Sequence, residues 1–265
     1  MTREDNNPVN LFWTGGWDST FRLLQLVLVE KKLVQTYYLI DPKRQSLRNE
    51  IKVQREIKDR LYKEYPHTRD LILPTLYYEV NDLRGDEELL EAYHVFLQFK
   101  VLETQYLWLS LFCKQMGIND MELCVEGVTQ SVKPIERRVW YSILVLIGGT
   151  RHARIADEFK DTVVQTLFGF FYFPIRGYTR QDMEAYAEIY GWKDYLYMTW
   201  FCHYPVHGRY PCGTCDPCHQ VILRGYGRRI PWQRRLYASL GMEKLRQKGA
   251  RLARTLNPNF HRWKG

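Results

Sequence analysis

Residues 9 to 20 of the 265-residue chain leave little freedom in the choice of fold. Val9 to Trp13 is β-branched and aromatic, as a short buried strand requires. It runs directly into Thr14-Gly15-Gly16-Trp17-Asp18-Ser19-Thr20. Phe21, Leu24, Gln25 and Leu28 then recur at helical spacing to about Lys32. A strand, a glycine loop and a helix in that order open a βα unit. The pattern repeats downstream. Val34 to Ile40 reads as a second strand, ended by Asp41-Pro42 because proline is poorly tolerated inside a central strand. Ser46 to Tyr65 reads as an amphipathic helix with Ile51, Ile57 and Leu61 inward. Leu71 to Leu76 is expected as a third strand, Asp86 to Gly117 as a helical stretch broken once, and Met121 to Glu126 as a further strand followed by Gly127. Thr179 to Tyr190 reads as a helix with Thr179 as N-cap and Gly191 as its stop. Strands alternating with helices predict an α/β fold: a parallel sheet with helices on both faces.

The loop itself carries chemistry. Two glycines let a backbone approach a ligand closely and adopt positive φ. Loop amides and a helix start together make an anion site. Thr14, Ser19 and Thr20 add hydroxyl donors. The loop has no lysine, so it is not a Walker-type loop. Phosphate would be held by backbone and hydroxyl donors, with Mg²⁺ neutralising charge and Asp18 orienting the loop or meeting the metal. The plainer alternative is an ordinary strand-to-helix turn capped by Asp18 or Ser19.

Cysteine and charge are both unevenly distributed. Cys113 and Cys124 stand alone in apolar contexts, whereas Cys202, Cys212, Cys215 and Cys218 crowd one Gly- and Pro-rich stretch. Four thiolates satisfy the tetrahedral preference of Zn²⁺ with no open position, so the site is expected to be structural. His203, His207 and His219 lie close enough to replace one ligand. Sulfur transfer through a Cys-x-x-Cys pair is the rival reading. Residues 219–265 hold twelve Lys or Arg against Glu243 alone, within a chain of net charge +8. Such a basic end suits an anionic partner, nucleic acid among them, or is simply a solvated face. A basic helix is expected over Glu243 to Leu256. The expected division is a nucleotide-binding domain over 1–195, a zinc-binding segment over 196–229 and a basic extension over 230–265.

Aromatic residues make up 15% of the chain, which excludes disorder for most of it. The longest apolar run, Val139 to Ile147, is about half of the ~20 residues a membrane span needs. The first eight residues are polar and lack the basic-then-apolar form of a secretory leader, so a cytoplasmic location without membrane association is expected.

The loop resembles the Ser-Gly-Gly-x-Asp-Ser motif of the PP-loop ATP pyrophosphatases, with Thr14 keeping the hydroxyl. Taken with the cysteine cluster, the chain resembles the 7-cyano-7-deazaguanine synthase family over roughly residues 9 to 226. Cys202 followed by Cys212-Gly213-x-Cys215-x-x-Cys218 is similar to the family's cysteine pattern. Thr199-Trp200-Phe201-Cys202 resembles its Thr-Trp-Ser-Cys. Ile40-Asp41, Gln45 and Glu50-Ile51 resemble the motif after its second strand. Phe173-Pro174-Ile175 and Thr179-Arg180 resemble its Pro-Leu and Ser-Lys element.

The resemblance implies an adenine-nucleotide alpha hydrolase-like PP-loop domain, ATP, Mg²⁺ and Zn²⁺ as cofactors, and a homodimer. It implies that Thr14, Gly15, Gly16, Asp18, Ser19 and Thr20 bind ATP and Mg²⁺, with Asp18 and Ser19 in the chemistry. Asp41 would approach the adenine or ribose, and Gly127 would line the site. The implied reaction adenylates the carboxylate of 7-carboxy-7-deazaguanine, releases pyrophosphate and forms an amide with ammonia. The family turns that amide into a nitrile by a second adenylation. Two departures stand out. The acidic substrate motif after the fourth strand is replaced by residues 128–138, and the C-terminal end is unusually basic. They fit a divergent branch in which a protein amine captures the acyl-adenylate and joins the base to a partner protein, as an antiviral defence operon would use. A PP-loop tRNA-modifying enzyme and a catalytically inactive zinc-bearing nucleotide- or protein-binding module are the other readings.

Overall fold

β1 (Val9–Phe12) has Leu11 and Phe12 buried and is followed by a fully buried Trp13, so it must be covered on both faces. It lies at the centre of a five-stranded parallel sheet of order β3-β2-β1-β4-β7. β2 (Val34–Ile40) pairs with it from Val9↔Val34 to Phe12↔Tyr37, and β4 (Met121–Glu122) pairs at Leu11↔Glu122. β3 (Leu76–Glu79) flanks β2, and β7 (Phe171–Tyr172) flanks β4. An antiparallel hairpin of β5 (Leu144–Leu146) and β6 (Ala153–Ile155) meets the chain just beyond β7, where Ala153 and Phe173 exchange backbone hydrogen bonds. This computed structural model describes residues 7–99, 102–127 and 143–240.

Alternation along the strands sorts the helices into two layers. Phe12 and Tyr37 pack their rings against Phe112 of α5 (Gln105–Met116), with centroids 5.7 and 5.6 Å away. α4 (Glu87–Phe99) and α6 (Val163–Phe168) share that core through Leu89, Phe96, Leu167 and Phe168. On the other face lie α1 (Trp17–Leu24, continued by a π turn over Gln25–Val29) and α2 (Leu47–Glu64). α7 (Arg180–Ile189) and α8 (Lys193–Met198) pack beside them. Thr179 caps α7 as expected, its hydroxyl accepting from Asp182 N while the Asp182 carboxylate accepts from Thr179 N.

The structure corrects several expectations. The third strand, expected over Leu71–Leu76, lies later: Leu71 ends a helical turn, α3 (Thr68–Leu71), and β3 starts at Leu76. Ile72 makes an isolated parallel bridge to Val34, but the continuous ladder of β3 with β2 starts only after Pro74, which has no amide to give. β4 is shorter than Met121–Glu126, because the chain turns away to Gly127, whose amide donates to Tyr178 O at 2.6 Å. On α2, Ile51 is only half-buried; Glu50, Val53 and Gln54 take the inward face with Ile57 and Leu61. The long helical stretch is broken once, into α4 and α5, as expected. The expected helix over Glu243 to Leu256 lies outside the described residues.

The chain divides into two units, Met1–Trp200 and Phe201–Gly265. In that second unit, α9 (Asp216–Leu223) is capped by Cys215 and carries Cys218, and α10 (Trp232–Ser239) follows it. Among the described residues, no helix is long and apolar enough to cross a membrane.

Candidate functional site

The loop after β1 stands at the carboxyl end of the central strand. From β1 the chain moves outward through β2 and β3, then returns to β4 on the other side. At such a reversal the connecting loops diverge and leave a crevice, where ligands bind in open α/β sheets.

Sterics fix the loop residue by residue. Gly15 has φ +73°, and a Cβ there would lie 3.2 Å from Glu50 O and 3.3 Å from Gln54 Cγ, so glycine is required. Its carbonyl accepts from Trp200 N at 3.0 Å, and the preceding Trp13 carbonyl accepts from Gln54 Nε2 at 2.7 Å. Gly16 is the extended N-cap of α1, with its amide donating to Thr14 Oγ1 at 3.3 Å. Thr14 N in turn points at Ser19 Oγ, 3.4 Å away. Thr20 sits beneath the loop, fully buried, with its hydroxyl accepting from Trp13 Nε1 at 3.0 Å. Its place is therefore that of a strut, while Thr14 is exposed at the rim. The first-turn amides of α1 have no partner within the helix, and the helix dipole there favours negative charge.

Asp18 is drawn to Arg180, the first residue of α7. Arg180 Nη2 lies 3.2 Å from Asp18 Oδ1, and its Nε lies 3.5 Å from Glu126 Oε2. The guanidinium also stacks over Trp17, 5.1 Å from the ring centroid. Gly127 follows Glu126, and a Cβ there would lie 2.9 Å from both Arg176 O and Tyr178 O. That glycine lets two backbones close on each other at the crevice wall, and Arg176 Nη1 clamps Glu126 O at 2.7 Å. Asp41 ends β2 at the same sheet edge, but its carboxylate is engaged by its own turn, accepting from Lys43 N at 2.9 Å. The structure thus sets Thr14–Ser19, Asp41 and Gly127 at the ends of three adjacent strands. Residues 128–138 lie outside the described residues.

Two residues of this site were not among the expected ligand-binding residues. Arg180 stands there only within a weak motif. Glu50 is a buried carboxylate directly behind Gly15. It accepts from Tyr38 Oη at 2.9 Å, Ser46 Oγ at 2.6 Å and Arg44 Nη1 at 3.1 Å. Burial, then the adjacent carboxylate, pushes the Tyr38 phenol well above its usual range. Apolar periodicity cannot find an inward glutamate, but its place in the Gln45…Glu50 segment is a usable signal.

In the second unit, Cys202, Cys212, Cys215 and Cys218 are all buried, with their Sγ atoms within 4.8 Å of one another. The Cys212–Cys218 and Cys202–Cys215 sulfurs are 3.8 and 3.9 Å apart. Tetrahedral Zn–S bonds of about 2.3 Å require sulfurs about 3.8 Å apart. Cys212 N donates to Cys202 Sγ at 3.2 Å, and Thr214 N and Cys215 N donate to Cys212 Sγ at 3.4 and 3.3 Å. Neighbouring sulfurs, with help from these amides, hold the Cys212 thiol well below its ordinary range. The four cysteines can hold a metal ion such as zinc. His203, His207 and His219 are exposed and stand outside the group.

No protein family, curated protein or solved structure matches the chain. What the fold and sites define is a parallel α/β unit with a glycine loop at its switch point, followed by a unit built round four metal-competent cysteines.

Proposed function

We propose that the chain is an ATP-dependent carbon–nitrogen ligase of the 7-cyano-7-deazaguanine synthase kind. The observation that carries the reading is the Thr14–Ser19 loop at the carboxyl end of the central strand, opposite Arg180. In this reading the Gly16–Ser19 amides and the Thr14 hydroxyl grip the pyrophosphate of ATP, and Asp18 holds Mg²⁺. Arg180, loosened from Asp18 by the cation, meets a phosphate oxygen. The carboxylate of 7-carboxy-7-deazaguanine displaces pyrophosphate at the α-phosphorus. An amine then attacks the acyl carbon, and AMP leaves as the amide forms. Positioning and charge stabilisation are all that this loop must supply, since AMP is a far better leaving group than carboxylate oxygen. The four cysteines hold Zn²⁺, whose chemistry here is structural.

Mass spectrometry of products from zinc-loaded protein, ATP, Mg²⁺ and 7-carboxy-7-deazaguanine tests the reading, with and without ammonia. AMP release that depends on the carboxylate is expected, and Asp18→Ala should lower it about 100-fold or more. Absence of AMP from the parent protein under every condition would overturn the reading. Unchanged release by the variant would remove Asp18 from the chemistry.

A further inference from the structure

The described part of the second unit, residues 201–240, has an unusual charge composition. It contains six arginines, no lysine and a single acid, Asp216. Arg209, Arg228 and Arg235 are exposed and pair with no carboxylate among the described residues. Arginine presents a planar donor fork that matches phosphate and stacks on rings, which a lysine ammonium does not. Exposed with them are three large aromatics: Tyr204 at 57%, Tyr210 at 45% and Trp232 at 62%.

The cysteine framework places these side chains on short, well-anchored pieces of chain. Between Cys202 and Cys212 the chain makes a tight hairpin in which Val206 and Tyr210 exchange backbone hydrogen bonds at 2.8 and 3.1 Å. His207 and Gly208, at φ 53° and 61°, form its turn. Arg209 stacks on Tyr210, 5.5 Å from the ring centroid. Two residues on, Cys212 O accepts from Arg234 Nε at 2.9 Å, which ties α10 to the cysteine loop. A Cβ on Gly213 would lie 2.7 Å from Arg234 O, so the two backbones touch. Farther along, Arg235 Cδ packs 3.6 Å from where a Gly227 Cβ would stand, beside Arg228. Trp232 and Arg235 are neighbours on one face of α10.

We propose that residues 201–240 form a binding surface for single-stranded nucleic acid, with Tyr204, Tyr210 and Trp232 as stacking platforms and Arg209, Arg228 and Arg235 as phosphate contacts. A single strand offers both things this surface lacks: unstacked base faces for the exposed rings, and one phosphate per nucleotide for the unpaired guanidinium groups. A duplex would satisfy the arginines alone, because its bases are already stacked. The exposed Leu223, Leu236 and Leu240 would suit a protein face, but such a partner would have to bring a carboxylate for each exposed arginine. The inference is independent of the adenylation reading.

The test uses the full, zinc-loaded chain and fluorescein-labelled strands of about twenty nucleotides, as RNA, DNA and duplex, in an anisotropy titration over a range of salt. Single strands should bind more tightly than the duplex and quench tryptophan fluorescence. A preference for RNA over DNA, or the reverse, tells which strand the surface meets in the cell. Trp232→Ala should weaken binding about 5- to 150-fold, the value of one stacked base, and Trp232→Phe should restore most of it. Arg228→Gln and Arg235→Gln should each reduce the salt slope by about 0.7. Duplex binding as tight as single strand, or a Trp232→Ala protein that binds like its parent, would overturn the proposal. Failure to bind any strand would also overturn it and leave a protein face as the reading of α10.

Discussion

Lys58 has the least lysine-like surroundings among the residues that back the loop. It projects from α2 under the sheet. Its ammonium donates to Thr75 Oγ1 at 2.6 Å and lies 5.5 Å from the Trp13 ring centroid. The neighbouring Thr36, Gln54 and Tyr77 form a neutral hydrogen-bonded surround. Burial alone lowers its pKa to about 8. An unfolded lysine keeps its proton to about pH 10.4. Between those values the unfolded chain therefore binds more protons than the native one, and stability rises with pH. Lys58→Met should flatten that rise and stabilise the protein by about 1 kcal/mol at pH 7. Urea unfolding of both proteins at neutral and alkaline pH measures it, and an unchanged pH slope would refute the assignment. At this scale the sequence was legible where glycine and cysteine were concerned, since backbone space and metal geometry admit few substitutes. Motif position marked Glu50 and Thr20, but the inward turn of Glu50, Gln54 and Thr20 was not legible. Those polar side chains turn inward to serve Tyr38, Trp13 and the loop, and apolar spacing has no means of announcing them.

Between elements, the most consequential polar contact joins α1 to β4. Arg22 Nε and Nη2 reach the two carboxylate oxygens of Glu122, both at 2.8 Å, and the Arg22 and Glu122 side chains are each only 5% exposed. Glu30, beyond the π turn, takes the remaining side of the guanidinium. Glu122→Ala leaves that charge buried with one half-exposed partner, so it should cost about 3–5 kcal/mol in urea unfolding. A loss below about 1 kcal/mol would mean that water reaches the guanidinium. The fold was legible in β1, β2, α2 and the capped α7, all long enough to show a period or an end signal. β7 and β4 are two residues long, and the β5–β6 hairpin has three-residue strands. A period of two cannot declare itself over so few positions. Their pairing is decided by the neighbouring chain.

On the scale of the whole molecule, the second unit depends on its cysteines. Its described buried apolar residues beyond the four ligands are few, Val221, Tyr226 and Ile230 among them. A core that small does not outweigh chain entropy without a staple. Stripping the metal with a chelator should therefore unfold the second unit while the sheet of the first persists, giving two separate transitions by circular dichroism. Cys215→Ser should bring the same change with loss of stoichiometric zinc. Because thiols must lose protons to bind, metal retention should fall as pH is lowered. A single unaltered transition after metal removal would show that the cysteines are not what holds the unit together. The cysteine set was wholly legible. The place of Arg234 was not: expected in a separate extension, it donates to Cys212 O and so is tied to the cysteine loop.

The hydrogen bond from Trp200 to Gly15 has a further meaning when the chain is considered in order of synthesis. The loop is synthesised well before Trp200, yet its carbonyl waits for that residue, and β1 waits for β4 on its second edge. A nascent chain therefore carries its glycine loop unfinished until Trp200 has emerged. The loop takes its final form only when the first unit closes, before the cysteines have all emerged.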